Sequence, residues 1–360
     1  MTSAVLTLCA ALLFSCADKN SNGVIVKGNS SKMDSLSYAT GIDLASSLSR
    51  EMSVVGFDYD AVKKAIETVT LKGGEIILNE DTLNAETSLG YLQDFFSTEF
   101  PERMRQKREN EIAKADTTGQ SEIVELDFNP ETMFKNEEER ALLSTAFGFD
   151  IGNNMVKREI PLQLYWLFKG WDEYNTDAAK MTEEESRNYI MEYFTVKVPA
   201  ENKKASEAWL KKVEREKGVQ KTESGLLYKV IEAGDMSQKP IALDNVVEVH
   251  YKGTTRKGVV FDASRFADMP AERQKMMKMY RPNDYDKDEP IKFPLNGVIQ
   301  GWGEGLQYVG KGGKITLWIP AELAYGERGA GQLIGPNEAL RFDVELLNVE
   351  IPDSAETAAE

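Results

Sequence analysis

The stretch from Phe293 to Glu350 most constrains the fold. It reads FPLNGVIQGWGEGLQYVGKGGKITLWIPAELAYGERGAGQLIGPNEALRFDVELLNVE. Strand-like runs rich in aromatic and β-branched residues alternate with tight glycine turns, a pattern that predicts short antiparallel strands. Four blocks stand out: V-I-x-G-W at Val298 to Trp302, a glycine turn at Gly310 to Gly313, A-Y-G at Ala324 to Gly326, and F-D-V-E-L-L at Phe342 to Leu347. No nucleophile with its base and no metal cluster accompanies them. An enzyme built on this stretch has to work by shape and desolvation.

Strand signals begin upstream, at Gly225. Leu227, Lys229 and Ile231 alternate with Leu226, Tyr228 and Val230, and Val246 to Tyr251 continues as a β-branched run. Gly253 reads as turning the chain, and Gly258 to Asp262 answers as the next strand. Composition narrows the chemistry. At 360 residues, two or three domains are expected. The net charge of −16 argues against nucleic acid as a partner, because phosphate binding depends on clustered Lys and Arg. His250 is the single histidine, which removes His-based metal sites and catalytic triads. Adjacent to Tyr251 on a strand, it faces the other way and reads as structural or exposed. No metal or cofactor is expected.

The blocks V-x-V-x-Y-x-G, G-x-x-F-D, V-I-x-G-W, A-Y-G and F-D-V-E-L-L, in that order over Glu223 to Ile351, resemble an FKBP-type peptidyl-prolyl cis/trans isomerase domain. The resemblance implies an antiparallel sheet wrapped around a short helix, with a proline pocket between them. It carries the substrate pocket onto Tyr251, Phe261, Phe293, Val298, Ile299, Trp302, Ile334 and Phe342, with Trp302 as the floor, and it places Asp262 and Tyr325 at the reacting bond. The Tyr325 hydroxyl and the Ile299 N–H are the expected donors to the substrate's carbonyls. Asp262 either orients Tyr251 or meets the rotating carbonyl. Each aromatic taken alone is ordinary sheet core; their joint order makes the case.

Two departures from the family pattern matter. Ala330 stands where many members carry an aromatic or His, which opens one lip of the pocket. Ala263 to Lys292 is much longer than the family's usual connection and contains a basic helical stretch, Ala271 to Arg281, with three Met. Met adapts to variable apolar partners. The insertion therefore reads either as a lid or client-contact element or as a surface segment packed on the rim.

Before this domain the pattern is helical. Asp34 is an N-cap, and Tyr38, Gly41, Ile42, Ala45 and Leu48 share one face. A second helix runs from Asp60 to Val69, and Asn79-Glu80-Asp81 is expected to open a third through Leu89, Leu92, Phe95 and Phe96. The unit then recurs: Ser144 to Met155 matches Ser37 to Leu48, Leu167 to Tyr174 matches Val62 to Val69, and Thr182 opens a capping box before Tyr189, Ile190, Tyr193 and Phe194. Gly41/Ala45 and Gly148/Gly152 place small residues four apart, for packing within a unit, for pairing of copy with copy, or for a homodimer. These units resemble the amino-terminal domain of isomerases of the macrophage-infectivity-potentiator kind, which dimerises those proteins.

The expected organisation is a signal segment at 1–16, a tether at 17–31, a helical unit at 32–115, a linker at 116–136, a second helical unit with a connecting helix at 137–222, the isomerase domain at 223–351 with its insertion at 263–292, and an acidic tail at 352–360. The apolar run Ala4 to Ser15 is too short to span a bilayer and reads as a secretory signal. Leu13-Phe14-Ser15-Cys16 resembles a bacterial lipobox, which would make Cys16 the acylated residue; a plain cleaved signal is the alternative. The fold class expected is α+β, two all-α units followed by the FKBP-like sheet domain. The function expected is prolyl isomerisation on unfolded, proline-containing polypeptides, by an exported lipoprotein anchored in the cell envelope. The alternative is a client-holding chaperone whose helical units bind unfolded chains.

Overall fold

Asp34 accepts a hydrogen bond from the Ser37 N–H and so starts the first helix, α1 (Ser35–Glu51). The computed structural model describes residues 34–116, 122–157, 160–331 and 333–351, except for the side chains of Lys157 and Glu272. Cys16, the tether and the acidic tail lie outside the described residues. The chain divides into two compact units, one ending at Phe194 and the other beginning at Thr195.

In the first unit α1 is followed by α2 (Tyr59–Lys72), a hairpin of β1 (Ile76–Leu78) and β2 (Asp81–Leu83), α3 (Ala85–Asp94) and α4 (Phe100–Ala115). The second copy supplies α5 (Glu137–Lys157), α6 (Leu164–Asn175) and α7 (Glu183–Glu192). The third helix starts later than its expected opening at Asn79. Asn79 adopts a positive φ of 55° at the hairpin turn, and the N-cap is Asn84, in a capping box with Thr87. Asn tolerates that left-handed conformation better than most residues. The capping box of Thr182 with Glu185 forms as expected. Five-residue π-helical turns at Phe95–Glu99 and Tyr193–Lys197 lead into helices whose second residues are Pro101 and Pro199. Proline has no N–H to give to the carbonyl four residues back, and its ring crowds that carbonyl, so the ladder slips by one residue.

The two copies exchange partners. α1 packs along α6 and touches α7, while α5 packs along α2 and touches α3. Each copy's first helix thus lies on the other copy's second and third. Gly41 and Gly170 make the first crossing close: a Cβ on Gly41 would stand 1.9 Å from the Leu167 carbonyl oxygen, and one on Gly170 would stand 2.2 Å from that of Tyr38. A Cβ on Gly148 would stand 2.3 Å from the Val62 carbonyl oxygen at the second. Matching serines cap the opposite copy, for Ser37 Oγ accepts from the Gln163 N–H and Ser144 Oγ from the Asp58 N–H. The end of the expected linker belongs to the core. Phe128, Met133 and Phe134 are buried, Phe134 sits against Phe57 and Phe95, and the buried Arg103 donates to the Met133 carbonyl.

The second unit begins with α8 (Val198–Val213), expected as a connecting arm. It packs on the sheet instead, with Val213 against Leu227 and Trp318. Strands β3 (Gln220–Lys221), β4 (Leu227–Glu232), β5 (Val246–Thr255), β6 (Val260–Ala263), β7 (Ile291–Pro294), β8 (Lys314–Ile319) and β9 (Leu340–Glu350) form one antiparallel sheet in the order β3-β4-β8-β9-β5-β6, with β7 also paired to β5. The insertion between β6 and β7 carries α9 (Ala271–Tyr280), and α10 (Gln300–Gly305) is the short helix against the sheet. Gly301 and Gly305 let α10 approach β8, since a Cβ on either would fall within 2.5 Å of the Ile319 or Leu317 side chain. The core between sheet and helix is built from Val247, Val249, Leu306, Ile315, Leu340 and Val344 with their neighbours. Gly253 makes no turn: it lies inside β5, opposite Asp262 and Phe342, and the chain reverses further on, near Gly258 at φ 79°.

Candidate active site

β5 has two different neighbours along one edge. Val246 to Val249 pair with β7, and Lys252 to Thr254 pair with β6. Chain leaving β6 therefore returns through β7 to the same edge, and the gap between those strands opens on Tyr251. A cavity of about 460 Å³ lies there, lined by Tyr251, Phe261, Asp262, Ile291, Phe293, Gly297, Val298, Ile299, Trp302, Tyr325 and Phe342. Nine of the ten expected site residues line this one cavity. The tenth, Ile334, is buried in the adjoining core and is absent from the lining.

Trp302 is the hub. Its ring meets Tyr251 edge-on at 5.2 Å and 86°, Phe342 at 5.1 Å and 89°, and Phe293 at a tilt at 5.4 Å. Phe261 completes the wall, edge-on to Phe342 at 5.5 Å. Perpendicular pairs place a ring's positive edge on its neighbour's negative face, worth about 0.5–1.5 kcal/mol each beyond simple burial. Rings packed edge to face in this way cannot stack flat on one another across the cavity. Gly253 makes the Phe261–Phe342 pair possible, because a Cβ there would stand 2.6 Å from Phe261 and 2.8 Å from Phe342.

The polar side chains of the lining are Tyr251, Asp262 and Tyr325, with the buried Trp302 Nε1 making no hydrogen bond among the described residues. The Tyr251 hydroxyl donates to Asp262 Oδ2, while Oδ1 accepts from the Ala263 N–H at 2.9 Å and from Arg273 of α9. Both carboxylate oxygens are thus engaged. Burial first, and the Asp262 carboxylate second, push the Tyr251 hydroxyl well above the usual phenol range, so it remains a donor. Tyr325, 39% exposed, also lines the cavity, and burial first and the Asp262 charge second raise its hydroxyl pKa. Ile299 directly precedes α10. Its N–H lies ahead of the helical ladder, which leaves that donor for the cavity.

The segment between Tyr325 and Phe342 is held from behind. Asn202 and Ser206 of α8 donate to the Pro336 and Asn337 carbonyls at 3.1 and 2.8 Å, and Ser206 Oγ accepts from the Ala339 N–H. Arg256 and Glu338 form a buried ion pair beside them at 3.3 Å. His250, as expected, faces away from the cavity. It is buried with Nδ1 3.1 Å from Ser264 Oγ, and desolvation lowers its pKa. Sequence reasoning missed Ile291 and Gly297. Ile291 fell within the stretch read as insertion, although its place two residues before Phe293 on a strand puts both on one face.

A family model described as FKBP-type peptidyl-prolyl cis-trans isomerase matches residues 237–347, and one described as the domain amino terminal to that isomerase matches residues 140–230. The chain is 34% identical over 227 residues to the probable FKBP-type peptidyl-prolyl cis-trans isomerase FkpA of Neisseria meningitidis, covering 59% of this chain and 75% of that one. It is 32% identical over 230 residues to the peptidyl-prolyl cis-trans isomerase Mip of Coxiella burnetii, covering 61% and 90%. It is also 32% identical over 219 residues to the outer membrane protein MIP of Legionella longbeachae, covering 58% and 84%. The chain belongs to the FKBP-type isomerases. It is a peptidyl-prolyl cis-trans isomerase with an α+β fold, and its substrates are proline-containing polypeptides. The amino-terminal match falls on the second helical copy; the first copy's kinship rests on its correspondence with the second.

Proposed function

We infer that the chain is an exported isomerase that assists the folding of cell-envelope proteins, and that the Trp302-centred cavity is where it turns the prolyl bond. The observation that carries this reading is the cavity itself, walled by Tyr251, Phe261, Phe293 and Phe342 together with the Trp302 indole. Rotation about a prolyl bond must pass a barrier of about 18–20 kcal/mol set by amide resonance. Twisting removes that conjugation without breaking a bond, so the protein needs no nucleophile. Trp302, Phe342, Phe261 and Phe293 receive the pyrrolidine ring and exclude water from the amide. A dry surround disfavours the planar, more polar amide relative to the twisted one. The Tyr325 hydroxyl and the Ile299 N–H hold the flanking carbonyls and thereby fix the substrate in a turn. Asp262, saturated by Tyr251, Ala263 and Arg273, acts as the anchor of the Tyr251 ring and takes no proton.

These roles separate in peptide kinetics. Phe342→Ala removes one wall and should lower kcat/KM on a proline tetrapeptide by about a hundredfold, the size of roughly 3–5 kcal/mol of lost packing shared between fold and site. Tyr325→Phe removes one hydrogen bond and should lower it by about tenfold or less. Parent-like rates in both variants would move the reaction out of this cavity.

For the location, support comes from the lipobox-like Leu13-Phe14-Ser15-Cys16 and from a relative named as an outer membrane protein. No helix among the described residues is long and apolar enough to cross a membrane. Acyl chains on Cys16 would supply the anchor, at about 0.8 kcal/mol per buried methylene. Cys16→Ser should release the protein from the membrane fraction of expressing cells. Unchanged partitioning would remove the anchor.

A further inference from the structure

Helix α9 turns polar side chains inward and leaves large apolar ones exposed. Gln274 and Lys278, one turn apart, face the body of the unit. The Gln274 amide donates to the carbonyls of Phe266 and Met269 at 3.1 and 3.0 Å, and the Lys278 ammonium lies 5.6 and 5.5 Å from the ring centres of Phe266 and Tyr285. The opposite face carries Met276, Met279 and Tyr280, which are 55%, 65% and 71% exposed. At 3.6 residues per turn, Arg273 falls on the flank of that apolar face, next to Met276 and Tyr280. Arg273 is also the residue that pairs with Asp262 at the cavity rim. The exposed apolar face is therefore continuous with the rim of the prolyl cavity and is tied to it by an ion pair.

We propose that this face of α9 binds apolar side chains of the same polypeptide whose prolyl bond occupies the cavity, a few residues along the chain from the proline. The proposal rests on the cavity being the isomerase site. Met276 and Tyr280 stand roughly 5 and 10 Å along the helix axis from Arg273, a span that an extended chain covers in about two to three residues. Three side chains of this kind offer on the order of 400 Å², well below the roughly 800 Å² per partner of a stable protein–protein interface. The face is too small to hold a second copy of the chain, but it suits brief capture of an unfolded segment already held by its proline. Two methionines and a tyrosine fit that role, since flexible thioethers repack against different side chains. Arg273 is a positioning residue here, setting the helix against Asp262.

The test compares a short and a long substrate on the full chain. Met276→Ser, Met279→Ser and Tyr280→Ser are combined, and kcat/KM is measured on a proline tetrapeptide, too short to reach the face, and on a reduced unfolded protein whose refolding is limited by prolyl isomerisation. We expect the tetrapeptide rate to stay within about twofold, and the rate on the unfolded protein to fall by about five- to tenfold, chiefly through KM. Met276→Leu, Met279→Leu and Tyr280→Phe together should restore it, which separates lost apolar contact from damaged folding. An equal fall on both substrates, or no fall on either, overturns the proposal. So does a parent mass that rises with concentration and ceases to rise in the serine variant, which would assign the face to self-association. Failure of the isomerase reading itself would look different, as absence of tetrapeptide activity in the parent protein.

Discussion

At the scale of single residues, the cavity and the helical unit treat their carboxylates in opposite ways. Asp262 is surrounded by donors, whereas Asp43 on α1 is 2% exposed with Oδ2 making no hydrogen bond among the described residues. Desolvation lifts the Asp43 carboxyl to about 6, against the pull of Arg187 and Arg50. Its pKa is higher folded than unfolded, so the native state keeps a proton that the unfolded chain has lost. Stability from this group is greatest below about pH 4, falls as pH rises to about 6, and is flat above that. The loss near neutral pH is roughly 3 kcal/mol at most, for a shift of about two units. Asp43→Asn should therefore raise stability in urea at pH 7 and leave it little changed at pH 4. Equal effects at the two pH values would show that the carboxyl is solvated.

At the scale of elements, close backbone approach decides the helical pairing. The Gly41 Cβ position collides with a carbonyl of the facing helix, so no side-chain rotation relieves it. Gly41→Ala should force α1 and α6 apart and destabilise the first unit by about 1–3 kcal/mol or more, read as a lower urea midpoint. Gly90, with open space around its Cβ position on α3, is the control. Gly90→Ala should leave stability unchanged or slightly raised, because alanine is the better helix former. A fall for Gly90→Ala as large as that for Gly41→Ala would undo the packing argument. The periodicity of Tyr38, Ile42 and Leu48 showed which face of α1 is apolar, but period alone names no partner. That α1 would meet the second copy's α6 rather than its own α2 emerges only in three dimensions. Gly253 was misread for a related reason: a glycine serves a turn or a close approach, and sequence does not separate the two. In the isomerase domain the reverse holds. Its aromatic blocks are local and each fixes a position on one strand or turn, so Tyr251, Phe261, Phe293, Trp302 and Phe342 were all legible. Arg273 was legible only as one cation in a basic helix, since its pairing with Asp262 depends on where the insertion folds back.

At the scale of the whole chain, two helical copies occupy each other's packing surfaces, and one isomerase domain follows the second copy. The Gly41 and Gly148 crossings, read from sequence as sites for packing within a unit, for a homodimer or for pairing of copy with copy, are filled by the other copy of the same chain. The first copy ends in α4, where the second runs on through Pro199 into α8 and the sheet. Five of the site's aromatics come from one long strand, its partners and one short helix, so the chemistry needs little beyond the sheet and α10. The most direct test of the central claim is refolding of an unfolded protein whose slow phase is prolyl isomerisation, a step of tens of seconds when uncatalysed. Substoichiometric full-length chain should accelerate that phase, with Phe342→Ala retaining a few per cent of the effect. No acceleration by the parent chain, or equal acceleration by Phe342→Ala, would contradict the account.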